Sequence, residues 1–197
     1  MKKVLFLMTF LIGSLLSKAQ HVEFGIKGGL NIANLQQSKA DYNAKLGIHG
    51  GFLAHIHLNK TWAIQPELVY SQEGAKYKSG TYNGKENLDY LNVPVLVQYM
   101  TKSGFRLETG PQIGFLINAK SEANSVSVDI NKDRNSTNFS WAFGVGYLTQ
   151  MGLGFDARFN AGLGNINDVK NNNPLYNSDK VRNSVVQLGV FYQFGKH

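Results

Sequence analysis

His49, His55 and His57 share one parity of a segment that reads as a strand, so period-two geometry would bring all three imidazoles to one face. That spacing admits a transition-metal site. Strand neighbours two apart are separated by about 7 Å, however, which is wide for two ligands of one ion unless a second strand contributes. Glu67 and Glu108 raise a second chemistry, a paired-carboxylate acid and base of the kind used in glycoside hydrolysis. Nothing in the sequence sets their separation, and Arg106, one same-face position from Glu108, argues for an ion pair instead. Glu23, Lys27, Glu73, Asp156 and Arg158 extend the set, with both signs of charge in similar number. Asn31, Gln65, Asn92, Gln112, Asn160 and Gln187 fall between them. Charges confined in a narrow interior must pair or hold ordered water, because an unpaired buried charge costs several kcal/mol. Lys27, His49, His55, Glu67, Arg106, Glu108, Asp156 and Arg158 are therefore expected to form a structural polar network. A gated ion or proton path through the same residues is the sharper alternative. Serine elbows, phosphate loops and metal-protease helix motifs do not occur. The chain has no cysteine, which removes disulfides, thiolate metal ligands, a cysteine nucleophile and the lipidated cysteine of a lipoprotein. The expectation is a non-enzymatic protein with no catalytic residues, no cofactor and no metal.

The elements that would position these side chains are strands. From Leu153 to Leu163 the odd positions read Leu, Phe, Ala, Phe, Ala, Leu and the even ones Gly, Asp, Arg, Asn, Gly, a period of two over the length of a tilted membrane-crossing strand. Val186, Leu188, Val190, Tyr192 and Phe194 repeat the pattern with Phe191 as an exception, and Leu46 to Leu58 repeats it with Leu53 as one. Val22 to Ala33, Trp62 to Glu73, Tyr90 to Met100, Phe105 to Ile117 and Phe139 to Gln150 complete a set of eight. Asn59-Lys60, Thr101 to Gly104 and the residues about Gln150-Met151 are short joins, whereas 34–45, 74–89, 118–138 and 165–184 are long and polar. Short and long alternate, as they must in a barrel threaded once through a bilayer, with both termini on the short-turn, periplasmic side. Within the long joins, Val126 to Ile130 reads as a prolongation of strands five and six beyond the membrane. Trp62, Tyr99, Phe105, Tyr147, Tyr192 and Phe194 cluster at strand ends near the short turns, and Phe139, Trp141, Phe115 and Tyr70 toward the other end, the layout of two aromatic girdles. Pro66, Pro94 and Pro111 fall inside predicted strands, where each removes a ladder donor, and are expected at bulges or strand ends.

Residues 1–19 read as a secretory signal: Lys2 and Lys3, an apolar run from Val4 to Leu16, and Ser17-Lys18-Ala19 before the cleavage point. That leaves residues 20–197 as one domain, and removing Lys2, Lys3 and Lys18 lowers the formal charge from +7 to +4, too weak and too scattered for nucleic acid. No later stretch is long and apolar enough for a membrane helix. The fold class expected is all-β: an eight-stranded antiparallel up-and-down transmembrane barrel in the outer membrane of a Gram-negative bacterium, with short periplasmic turns and four long extracellular loops. Lipid is then the first partner, and envelope or secretion-system proteins the second. A narrow solute channel and a soluble, secreted, lipocalin-like ligand binder remain as alternatives, since period two alone does not say which face meets water. The polar face, poor in the Lys and Glu of a solvated sheet, favours the membrane.

Several segments also carry a family likeness. Gly25 to Asn31 (GIKGGLN), Gln65 to Gln72 (QPELVYSQ), Tyr90 to Leu96 (YLNVPVL), Gly110 to Gly114 (GPQIG), Phe155 to Phe159 (FDARF) and the ending Phe191 to Gly195 (FYQFG) resemble the strands of the PorT-like outer-membrane β-barrel proteins. The likeness spans the mature chain and includes the three prolines. It implies the barrel fold and, through one branch of the family, an association with protein secretion across the outer membrane. It implies no catalytic residue.

Overall fold

The computed structural model describes residues 22–36, 42–79, 82–123, 126–167 and 180–195. The signal segment proposed for residues 1–19 lies outside them. The strands are β1 (Val22–Gln36), β2 (Tyr42–His57), β3 (Trp62–Ser79), β4 (Tyr82–Met100), β5 (Phe105–Ala123), β6 (Val126–Asp129), β7 (Thr137–Leu148), β8 (Leu153–Gly162) and β9 (Arg182–Phe194). Every neighbour pair is antiparallel, and β1 pairs with β9 from Phe24–Phe194 to Gln36–Arg182, closing an eight-membered ring in which β4–β5 and β5–β7 are also joined. The short β6 lies outside the ring as a hairpin partner for the end of β5.

The side-chain dyad decides which face meets which environment. Phe24, Leu46 and Phe52 on the outer surface are 65, 72 and 67% exposed, while Lys27, Glu67 and Arg158 inside are 6, 4 and 3% exposed. A water-soluble barrel would show the reverse, so the outward apolar band has hydrocarbon as its only stable surrounding. Among the described residues no helix is long and apolar enough to cross a membrane. All ten aromatic residues assigned to the two girdles are on the outer face and exposed. On the periplasmic side Trp62 meets Tyr99 edge-on with ring centroids 5.2 Å apart, and Tyr192 meets Phe194 at 5.3 Å.

Two of the short turns use the same chemistry. In Thr101 to Gly104 and Thr149 to Gly152 the glycine amide donates back to the threonine carbonyl (3.1 Å in both) and the threonine hydroxyl donates to the carbonyl four residues on (Phe105, 3.1 Å; Leu153, 2.7 Å). Gly104 and Gly152 hold φ of +91 and +83°, the left-handed region that lets strands reverse without a Cβ clash. In the third turn the Asn59 side chain accepts from the amides of Thr61 and Trp62, both at 2.8 Å.

Two expectations are corrected. Much of 74–89 and 118–138 is strand rather than loop: β3 and β4 stay paired from Gly74–Asn87 to Ser79–Tyr82, and β5 runs on to Ala123 before returning as β6, where Val126 to Ile130 was expected to prolong the strands. Above the bilayer a hairpin needs only mutual backbone pairing, so its outer face turns polar and the hydropathy signal fades although the strand continues. The prolines, expected at bulges or ends, lie within strands. Pairing passes from Pro66–Val95 to Val69–Asn92, and from Pro94–Gln112 to Val97–Thr109, without a change of register. The bulges fall instead between Ala44 and His49 in β2 and at Ile117 in β5, opposite Asp89–Tyr90. Each proline withholds one donor from one ladder, and the long runs of pairing on either side hold the register.

The exceptions to period two acquire reasons. Phe191 points inward, and a Cβ on Gly154 would sit 2.1 Å from its ring, so the glycine across the ladder makes room for it. Gly154→Val is therefore expected to destabilise the barrel by about 1–3 kcal/mol, read from its denaturant midpoint in lipid, whereas Gly146→Ala, with 3.2 Å to its nearest neighbour, should lose less.

Candidate functional site

The interior is built in two layers. The lower one is charged. Arg158 on β8 spans the lumen to β3 and grips Glu67 with both terminal nitrogens at 2.9 Å, while its Nε donates to Glu108 on β5 at 2.8 Å. Lys27 on β1 donates to Asp156 at 2.9 Å and to Glu67 at 3.4 Å. Gln65 and Gln98 donate the remaining bonds, to Glu67 and Glu108, both at 2.8 Å. Forked guanidinium contacts of this kind are among the stronger charge-assisted bonds and fix both partners in orientation. Strands from opposite walls can reach one another because small residues line the space between: a Cβ on Gly144 would come within 2.6 Å of Glu108 Oε1, and one on Gly189 within 2.2 Å of Asp156 Oδ1.

Above this lies an amide layer. Asn31 donates to Ser71 Oγ and the Gln72 carbonyl, both at 2.9 Å, and its Oδ1 receives Gln187 at 3.1 Å and meets His49 Nδ1 at 2.8 Å. Asn160 donates to Gln187 at 3.0 Å, and Asn92 to Glu73 at 2.8 Å, with Asn183 on the other oxygen of Glu73. The outer mouth is then covered by apolar side chains: Leu35, Leu88, Tyr90, Ile130, Ile166 and Val181 pack as one buried cluster. Ile130, Ile166 and Val181 come from the outer connections, tied down by Ile130 N–H to the Ala119 carbonyl (3.0 Å), Asn135 N–H to Ile166 (2.8 Å) and Ile166 N–H to Val181 (2.9 Å). Arg134 pairs with Glu86 at 2.5 Å beside this cover.

The eight residues singled out from sequence are all buried on the inner face, but not all in one site. Lys27, Glu67, Glu108, Asp156 and Arg158 form one connected group. His49 belongs to the amide layer. His55, whose Nδ1 meets Gln65 Oε1 at 3.2 Å, stacks edge-on with His57 at 4.5 Å nearer the periplasmic end. Among the described residues no three His, Asp or Glu side chains gather as a metal-ligand set. The ion pair expected between Arg106 and Glu108 is absent. Side chains two apart on a strand run parallel, about 7 Å from each other, whereas Arg158 meets Glu108 head-on. Arg106 instead donates to Gln193 Oε1 at 3.0 Å and lies under the Phe191 ring, 5.8 Å from its centre. Glu86, Tyr90 and Gln98 were not among the expected lumen residues, although the alternation Glu86, Leu88, Tyr90, Asn92 carries the first two.

Residues 18–168 match the family model described as the outer membrane protein beta-barrel domain. The chain belongs to that family. Among solved structures it is similar to Neisserial surface protein A (16% identity, TM-score 0.57), with 89% of this chain and all of the other aligned. It is likewise similar to Ail, the attachment invasion locus protein of Yersinia pestis (15% identity, TM-score 0.51), over 89% of this chain and all of that one. At such identities the likeness is one of fold. No curated protein matches in sequence. The outer membrane protein beta-barrel domain accounts for the closed ring, the outward apolar band and the outer-membrane location, and it leaves the interior chemistry to be read from this chain.

Proposed function

We propose that this outer-membrane barrel acts without turnover and without passing solute, as a sealed anchor that presents the β3–β4 and β5–β6 hairpins to partners at the cell surface or in the envelope. The observation that carries the reading is the double closure of the lumen, by Arg158 bridging Glu67 and Glu108 and by the apolar cover above it. Eight strands leave room for side chains and little more, and here the side chains are mutually bonded. The paired β3–β4 hairpin continues six residues past Glu73, roughly 20 Å at strand rise, and supplies a rigid platform for recognition. The PorT-like sequence features favour an envelope or secretion partner for it, and we include the secretory leader and the structural polar network in the same proposal.

Two measurements test it. In planar bilayers the purified barrel is expected to give no conductance steps above the lipid baseline, and discrete steps would overturn the sealed reading. The absence of cysteine allows single labels. Lys85→Cys, on the half-exposed outer hairpin, should react with an impermeant maleimide on intact cells, and Lys102→Cys only after permeabilisation. The opposite pattern would invert the barrel.

A further inference from the structure

We propose that the periplasmic mouth of the barrel is a binding site for a phosphate-type oxyanion, held by Arg106 and framed by Lys60 and Lys102. The three short turns surround a cavity of about 600 Å³ whose wall includes His57, Lys60, Lys102 and Arg106 and the hydroxyl residues Thr101 and Ser103. Among the described residues no carboxylate lines it. Arg106 is 4% exposed, yet its Nε and Nη1 have no hydrogen-bond partner among the described residues, and only Nη2 is engaged, by Gln193. Glu23 and Glu108 are within electrostatic reach of this guanidinium, but neither forms an ion pair with it, and Glu108 is already held by Arg158 and Gln98. Two of the three nitrogens of a fixed, buried guanidinium are thus left without acceptors, and an oxyanion seated against it would supply one. Phe191 over the guanidinium plane and the Gln193 bond hold the fork in place, so it is ordered before a ligand arrives. Lys60 and Lys102, exposed at the rim on separate turns, add positive potential where an anion would enter. The same chemistry is offered by free phosphate in the periplasm and by an anionic phospholipid headgroup at the inner leaflet beside the aromatic girdle.

The test is an NMR titration of the whole refolded barrel in maltoside micelles with inorganic phosphate, at ionic strength held constant with chloride, following the Arg106 Nε–H signal and the amides of Thr101 to Gly104. Saturable movement is expected, abolished in Arg106→Gln and weakened roughly fivefold for each of Lys60→Gln and Lys102→Gln. A parallel comparison in phosphatidylglycerol and phosphatidylcholine nanodiscs without free phosphate separates the sources. Movement of the same signals by the anionic lipid assigns the site to a headgroup, and movement by free phosphate alone assigns it to the soluble ion. No saturable movement in any arm, or movement undiminished in Arg106→Gln, overturns the proposal. Heat-shifted gel mobility checks that Arg106→Gln folds. If it does not, the lysine variants decide, and unchanged affinity in both overturns the proposal.

Discussion

Arg158→Ala is expected to cost the folded barrel about 3–5 kcal/mol, because it strands Glu67 and Glu108 in a site from which water is excluded. Glu67 would keep Lys27 at 3.4 Å and Gln65 at 2.8 Å, and Glu108 only Gln98. Those residual bonds leave three acidic groups, Asp156 included, facing one ammonium. The measurement is guanidinium or urea unfolding in lipid vesicles, followed by tryptophan fluorescence of Trp62 and Trp141. The cost should fall mostly away in the combined Arg158→Met, Glu67→Gln, Glu108→Gln variant, since removing both signs together removes the uncompensated charge as well. A single-variant loss below about 1 kcal/mol would place the cluster in the hydrated class of ion pairs and reopen the lumen to solvent.

Leu188→Arg is expected to impair insertion by about 2–4 kcal/mol, the penalty for a cation on the lipid face near the midplane. Leu188 is 50% exposed and stands between Leu30 on β1 and Ala157 on β8, in the middle of an uninterrupted apolar patch. Its neighbour Gln187 is buried and bonded to Asn31 and Asn160, so Gln187→Ala is an internal control whose expected loss is about 1–3 kcal/mol. The two variants separate by environment: the arginine penalty should grow with bilayer thickness and shrink in detergent, while the glutamine loss should be the same in both. If both respond alike to the surrounding lipid, the assigned faces are wrong.

How much of this was legible in the sequence depended on whether two environments or one flanked a segment. Leu153 to Leu163 was readable because lipid on one side and a polar lumen on the other write the dyad directly into residue types. The β3–β4 hairpin above the bilayer was not, because Lys76 and Lys85 face water where the strands below face hydrocarbon. What survived there was half a signal, Leu88 and Tyr90 on the inner side. The apolar cover was invisible for a related reason: Ile130, Ile166 and Val181 are isolated among polar neighbours, and only folding brings them together. Inward placement of Glu67, Glu108 and Arg158 followed from parity, yet the choice of partners did not. Glu67 and Arg158 are 91 positions apart, and the contact follows from strand count and tilt around the ring rather than from spacing along it. Arg106 shows the cost of reasoning from nearness in sequence, since its same-strand neighbour Glu108 is engaged elsewhere.

The cover over the outer mouth also sets an order of events in biogenesis. Its pieces come from β1, β3, β4, β5, the connection ahead of β7 and the connection after β8, with Val181 directly ahead of β9. No partially threaded intermediate contains all of them. The lid is therefore complete only when the last strand has zipped to the first, and resistance of Tyr90 to surface probes would serve as a clock for the moment the ring shuts.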